Sequence, residues 1–270
     1  MAQFTLGLAQ LEIQSAALSG NVDRAVEAIE RASARGVDLL VLPELFTVGY
    51  FAFDSYARNA EGLDGPTLTR LREAAADHGM ALLAGSIVED LAETTSVETP
   101  AEEGFANTAA LFGADGTLEL VYRKHHLFGY GSAEQELLVP GETVSVADIG
   151  PFTVGVTTCY DLRFPELYRR LVEAGATMLL VPSAWPYPRV EHWETLSRAR
   201  AIENQCFLAA ANGAGQFEDA TLCGRSTVYD PWGVTLASSG DDPSLVTTTL
   251  ESAAVDRVRT AFPALADRRS

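Results

Sequence analysis

Thr153-Val154-Gly155-Val156-Thr157-Thr158-Cys159-Tyr160-Asp161-Leu162-Arg163-Phe164-Pro165-Glu166 is the stretch from which the fold is read. Up to Thr158 it is a short run rich in β-branched residues, the composition of a strand. From Pro165 onward, Pro-Glu-Leu-Tyr-Arg-Arg-Leu-Val-Glu-Ala-Gly reads as a helix. Proline suits a first helical turn, Glu166 complements the positive end of the helix dipole, and Gly175 ends the segment. Cys159 therefore stands where a strand ends and the chain turns toward a helix. In α/β sheets that is where ligands bind. A thiol there, beside the backbone N–H groups of a turn, is placed to be a nucleophile. The competing reading is a small buried hydrophobe, the usual fate of a free cysteine.

The same pattern repeats outward. Phe4 to Leu11 reads as a first strand, and Asn21 as the cap of a helix from Val22 to Ala34 that Gly36 stops. Val37 to Leu42 is too apolar to have a wet face, so it is a buried strand. It runs into Pro43-Glu44-Leu45-Phe46, which puts the Glu44 carboxylate at a strand end, where an acid is costly unless partnered. An ordinary loop carboxylate is the alternative. A helix over Thr67 to His78 and a strand over Ala81 to Val88 complete a βαβαβ order. Glu89 to Gly104 reads as an acidic surface loop. Phe105 to Phe112 and Thr117 to Tyr122 flank Gly113-Ala114-Asp115-Gly116, a hairpin that delivers Arg123-Lys124-His125-His126. Adjacent histidines on an extended segment point to opposite sides, so no metal site is expected there. Gly129 to Pro140 is a loop carrying Glu134 and Glu136.

Beyond the opening stretch, Ala176 to Val181 is another buried strand, ending in Pro182-Ser183-Ala184-Trp185-Pro186. Trp185 is either the wall of a substrate pocket or a core aromatic. A helix over His192 to Ala201, a strand over Gln205 to Asn212 and a hairpin over Gly224 to Gly233 follow. The Arg-rich tail from Val255 ends irregularly.

Composition narrows the function. At 270 residues, 47% hydrophobic and 21% charged, the chain can bury a large core and suits one large α/β domain or two small ones. A net charge of −18 disfavours nucleic acid and anionic membranes as partners. No apolar run is long enough to cross a membrane, and the N-terminal stretch lacks a basic region. Cys159, Cys206 and Cys223 are an odd number without disulfide-like spacing, so a reducing, cytoplasmic setting is expected. Lys+Arg is 19, yet the only lysine is Lys124. A chain this poor in lysine keeps one where a compact, movable charge is wanted and a guanidinium does not serve.

Glu44, Lys124 and Cys159 together suit acyl transfer through a thioester. An acid beside a thiol can take its proton, and an ammonium stabilises both thiolate and oxyanion. A cysteine–histidine hydrolase would need a histidine beside the thiol, and none of the four lies in such a motif. There is no phosphate-binding loop, and Gly129-Tyr130-Gly131 lacks the third glycine and the strand–helix setting of a dinucleotide fingerprint.

With these residues in view, the chain resembles the nitrilase superfamily of carbon–nitrogen hydrolases. The motifs are Leu42-Pro43-Glu44-Leu45-Phe46 with Gly49-Tyr50, Tyr122-Arg123-Lys124-His125-His126-Leu127-Phe128, and Cys159-Tyr160-Asp161-Leu162-Arg163-Phe164-Pro165-Glu166. Asn107-Thr108, Pro182 to Trp185, Arg198 to Asn204 and Asp230-Pro231-Trp232-Gly233 support the match, which runs in order over nearly the whole chain. The resemblance implies a four-layer α-β-β-α sandwich that forms a homodimer or larger oligomer. It implies Glu44 as general base, Lys124 as oxyanion-stabilising lysine, Cys159 as nucleophile and Glu134, rather than Glu136, as a second glutamate holding the lysine. Tyr50, Phe128, Tyr160 and Trp185 would contact substrate, and the Tyr160 N–H would complete the oxyanion hole. Arg163 and Glu166 would brace the nucleophile turn. No metal or organic cofactor is implied. Within the superfamily the chain looks most like the Nit-type amidases, which act on ω-amides of short dicarboxylic acids or on deaminated glutathione. Carbamoyl-amine or ureido-acid hydrolysis, nitrile hydrolysis, acyl transfer and a non-catalytic scaffold are the alternatives.

Overall fold

The computed structural model describes residues 3–269. Phe4–Gln10 (β1), Leu39–Val41 (β2) and Ala81–Asp90 (β3) run parallel, with helix Leu18–Ser33 (α1), a short helix Tyr56–Asn59 (α2) and helix Pro66–Ala76 (α3) between them. Phe105–Phe112 (β4) and Leu118–Arg123 (β5) extend this sheet as an antiparallel hairpin, and a short helix, Glu134–Leu137 (α4), follows.

The second half repeats the scheme. Val146–Ile149 (β6) pairs antiparallel with Phe152–Val156 (β7); helix Pro165–Glu173 (α5) leads to Met178–Ser183 (β8), and helix Val190–Asn204 (α6) leads to Phe207–Asn212 (β9). Ala214–Gln216 (β10) and Thr221–Cys223 (β11) form a two-stranded ribbon, and Thr227–Tyr229 (β12) and Thr235–Ser238 (β13) form an edge hairpin. Ser244–Leu250 (β14) crosses back to the first sheet, before helix Ala253–Ala261 (α7). The two six-stranded sheets have the orders β14-β1-β2-β3-β4-β5 and β13-β12-β9-β8-β7-β6.

Alternation within the strands stacks the layers. Leu39 and Val41 of β2 and Leu83 of β3 belong to the core that also holds Val154, Val156 and Leu180 of the second sheet. Their neighbours Leu40, Leu42 and Leu82 belong instead to a core shared with Ala25, Ile29, Leu68 and Leu71 of the first helix layer. Both faces of these strands are apolar because both are covered. On the far side Leu167, Tyr168 and Leu171 of α5 and Trp193 of α6 close the second sheet, giving the expected α-β-β-α sandwich. Each fully buried leucine of these layers contributes about 1.5–3 kcal/mol relative to exposure.

Four expectations change. Asn21 does not cap α1, which begins a turn earlier at Leu18. Its amide ties the chain instead, accepting from the Gln14 N–H (2.9 Å) and donating to the Gln14 and Thr47 carbonyls (both 2.8 Å). Glu89 is a fully buried strand residue rather than part of an acidic loop; its carboxylate accepts from Arg123 Nε and Nη2 (both 2.7 Å), Thr108 Oγ1 (2.6 Å) and Thr94 Oγ1 (2.8 Å). Glu134 lies on a helical turn, not in a loop. The tail is helical over Ala253–Ala261, with Val255 and Val258 buried.

Candidate active site

Parallel strands end on one edge of a sheet, so β2, β7 and β8 bring Glu44, Cys159 and Ala184 together where the carboxyl edges of the two sheets meet. The sheets are joined there directly. The Ala184 N–H donates to Glu44 Oε2 at 2.9 Å, and the Glu44 N–H to the Ser183 carbonyl at 3.3 Å. Close approach at this edge requires glycine: a Cβ on Gly85 would lie 1.7 Å from the Leu42 carbonyl oxygen. The turns that present the two side chains are sharp, with φ at +43° for Leu45 and +46° for Cys159. Left-handed backbone at such residues costs about 1–3 kcal/mol and persists only where neighbours enforce it. At Leu45 the enforcing contact is its N–H on Ser86 Oγ (2.7 Å). At Cys159 it is Asp161, whose buried carboxylate accepts from the Thr158 N–H (3.0 Å), Tyr122 Oη (2.6 Å) and the His126 N–H (3.0 Å). His126 Nδ1 also meets Asp161 at 2.7 Å, and its ring stacks on Phe164 at 3.7 Å.

Lys124 directly follows β5, fixed by its N–H on the Asn107 carbonyl and by the Gly141 N–H on its own carbonyl (both 2.9 Å). Its ammonium is fully buried between two carboxylates, 2.8 Å from Glu44 Oε1 and 2.8 and 3.0 Å from the oxygens of Glu134. Asn107 Nδ2 donates to both acids, at 2.9 Å to Glu44 and 3.1 Å to Glu134. Glu134 also accepts from the Phe128 N–H (2.7 Å) and Tyr50 Oη (3.1 Å). Burial works against the charge of Lys124, but Glu134 and Glu44 outweigh it and hold the ammonium well above the ordinary lysine range. Burial is likewise the main reason that the Cys159 thiol is pushed well above its usual range; Glu44 adds to this and Lys124 opposes it. The resting group is a thiol beside a base, not a free thiolate. Cys206 and Cys223, pushed by burial up to about 12, do not line the pocket.

Above this cluster lies a small pocket, partly open to solvent. Lys124 and Cys159 form part of its lining, and so do all four residues expected to contact substrate, Tyr50, Phe128, Tyr160 and Trp185. Glu136 is exposed on the outer side of α4. Two cations in the wall were not expected there. Arg163, read from the sequence as a brace of the nucleophile turn, turns its guanidinium to the pocket, over the Trp185 ring at 5.0 Å; Asp161 does the bracing. Glu166 is exposed at the start of α5 and does not brace the turn. Arg189 stands over the Phe128 ring at 5.7 Å. The sequence signal for Asp161 is an acid placed to accept the N–H that opens a helical turn. Arg189 carries no comparable signal.

A buried carboxylate–ammonium–carboxylate cluster facing a thiol, on this sandwich, defines an enzyme that works on a carbonyl carbon. A model of the carbon-nitrogen hydrolase family matches residues 5–260, and the chain belongs to that family. It is 38% identical over 237 residues to a 2-oxoglutaramate amidase of Paenarthrobacter nicotinovorans, covering 86% of this chain and 79% of the relative. It is 35% identical over 280 residues to omega-amidase NIT2 of Homo sapiens, covering 100% and 96%. A solved variant of the amidase from Nesterenkonia sp. AN1 superposes with a TM-score of 0.79 at 30% identity, covering 98% of this chain and 94% of that one. It shows covalent addition of the acetamide moiety of fluoroacetamide at its active site cysteine. Among the described residues no helix is long and apolar enough to cross a membrane.

Proposed function

We propose that this carbon–nitrogen hydrolase cleaves the ω-amide of a short dicarboxylic acid through a thioester on Cys159. The Glu44–Lys124–Glu134 cluster beside the thiol carries the reading, and the names of the amidase relatives support the substrate class. Glu44 takes the Cys159 proton as sulfur bonds to the amide carbon. Lys124 and the Tyr160 N–H, at the start of a turn where such groups lack intrahelical partners, hold the oxyanion. Glu44 gives the proton to the nitrogen, the C–N bond breaks, and ammonia leaves a thioester. Glu44 then deprotonates water, which attacks the same carbon; the acid departs and Cys159 regains its proton. Glu134 holds Lys124 throughout. Tyr50, Phe128, Tyr160 and Trp185 enclose the acyl chain, and residues 1–270 act as one catalytic domain.

Ammonia release by the purified protein tests this over ω-amides, neutral aliphatic amides, carbamoyl amines, ureido acids and nitriles. Fastest turnover is expected with the ω-amides. Faster turnover of carbamoyl amines would replace this reading with carbamoyl hydrolysis.

We further propose that the chain works as a homodimer. Ile202 on α6, Trp232, Val234 and Leu236 of the edge hairpin and Phe262 after α7 are all exposed, with the Trp232 and Phe262 rings 6.3 Å apart, and exposed apolar side chains grouped in this way suit a contact with a second copy. Sedimentation at twice the mass of the 28.9 kDa chain is expected, and Ile202→Asp is expected to lower it to the monomer value. A wild-type protein that sediments as a monomer would refute the dimer. The three free, buried thiols fit a reducing compartment such as the cytoplasm, which cell fractionation checks.

A further inference from the structure

We propose that Arg189 is a specificity-determining residue: with Arg163 it forms a two-guanidinium clamp for a carboxylate at the far end of the acyl group. The inference rests on the amide-hydrolase reading and adds to it the residue that selects an anionic substrate.

The pocket wall holds three cations, and they are not equivalent. Lys124 is saturated by Glu44 and Glu134. Arg163 and Arg189 form no ion pair among the described residues, and no acidic side chain lines the pocket around them. In a chain with 37 acidic and 19 basic residues, two guanidinium groups converging on one small cavity without an acid leave it electropositive opposite the Glu44–Glu134 end.

Both groups are positioned without using up their donors. Arg163 Cζ lies 5.0 Å from the Trp185 ring centroid and 5.8 Å from that of Tyr160; Arg189 Cζ lies 5.7 Å from that of Phe128. Packing on aromatic faces fixes a guanidinium while leaving its N–H edges free. Arg163 spends one edge contact on His192 Nδ1, at 3.2 Å. The hydrogen bonds of Arg189 run through its backbone: its carbonyl accepts from Trp185 Nε1 at 2.8 Å, and its N–H donates to the Pro186 carbonyl at 3.3 Å. That ties the start of α6 to the pocket wall and leaves the Arg189 fork for a ligand. A carboxylate accepts two parallel N–H bonds from such a fork; a neutral acyl chain accepts none.

The test compares Arg189→Gln and Arg189→Lys with wild type on glutaramate, an anionic ω-amide, and on butyramide, which is neutral. Arg189→Gln is expected to raise KM for glutaramate by about 10- to 100-fold, the value of a charge-assisted hydrogen bond. Its kcat/KM for glutaramate should fall at least about ten times further than that for butyramide. Arg189→Lys should restore part of the difference, since a lysine keeps the charge but not the fork. Equal losses on both amides, or no loss on either, would overturn the proposal. Calorimetric binding of glutarate to Cys159→Ala protein, with and without Arg189→Gln, separates this from the catalytic reading. Arg189-dependent binding without ammonia release by wild type would sink the hydrolase assignment alone. Glutarate binding that ignores Arg189, or no glutarate binding, would sink the clamp. Thermal melting of each variant confirms that it is folded.

Discussion

Cys159→Ala is expected to abolish ammonia release from every amide that the wild-type protein hydrolyses, a loss of at least about 10⁴-fold, the scale on which nucleophile deletions act. The reason is that nothing else in the pocket can form the acyl intermediate. Tyr50, whose hydroxyl donates to Glu134, is raised far above its ordinary range, chiefly by burial, so it offers no nucleophile. The remaining two cysteines are outside the pocket wall. Binding should survive, because the wall that encloses the acyl chain is unchanged. Stability should change little, since one sulfur atom is removed at a pocket surface and its turn is held by Asp161, not by the thiol. Steady-state ammonia assays on wild type and variant, with melting curves for both, check the two parts separately.

Lys124→Met has the second large effect, and it acts on stability and catalysis at once. The ammonium lies within 3.0 Å of both Glu134 oxygens, 2.8 Å from Glu44, and is shielded from water. Removing it leaves two buried carboxylates facing each other with no cation between them, held only by neutral donors: Asn107 Nδ2 on both, the Ala184 N–H on Glu44, and Tyr50 Oη and the Phe128 N–H on Glu134. Breaking a buried pair in this way costs about 3–5 kcal/mol, which urea unfolding will register as a lower midpoint. The oxyanion also loses its cation, a further loss of about 10²–10³ in kcat. Adding Glu134→Gln to Lys124→Met removes one of the stranded charges. The double variant should therefore be more stable than the single one while remaining inactive. A double variant that unfolds more readily than Lys124→Met would show that the glutamates are not the source of the destabilisation.

Much of this site was legible because it follows from strand ends. Val37 to Leu42 and Thr153 to Thr158 are apolar or β-branched runs that stop abruptly at a functional side chain, and parallel pairing brings their ends to one edge. The single lysine was equally visible, since composition alone set it apart. What the sequence did not disclose depends on contacts between distant segments. Ser244–Leu250 mixes polar and apolar residues without a clean period, and it is a strand because it pairs with β1, Leu250 opposite Phe4. Val146–Ile149 is likewise an edge strand whose identity comes from its partner, β7. Glu89 looked like the first acid of an acidic loop; only the register of β3 against β4 places it on Thr108 and next to Arg123. Asp161, not Arg163, braces the nucleophile turn for a local reason. The sharp turn at Cys159 points Asp161 inward to the N–H groups and leaves Arg163 to face the pocket. Arg189 follows two prolines in a loop with no periodicity, so its approach to Phe128 is a tertiary fact.

The central claim is a thioester on Cys159, and intact-protein mass spectrometry tests it most directly. Protein acid-quenched during turnover of an ω-amide should carry an adduct equal to the substrate's mass less ammonia. Peptide mapping should place that adduct on Cys159, and Glu44→Gln should change how much accumulates without moving its location. An adduct on another residue, or turnover that proceeds with Cys159 unmodified at every quench time and undiminished in Cys159→Ala, would contradict the account.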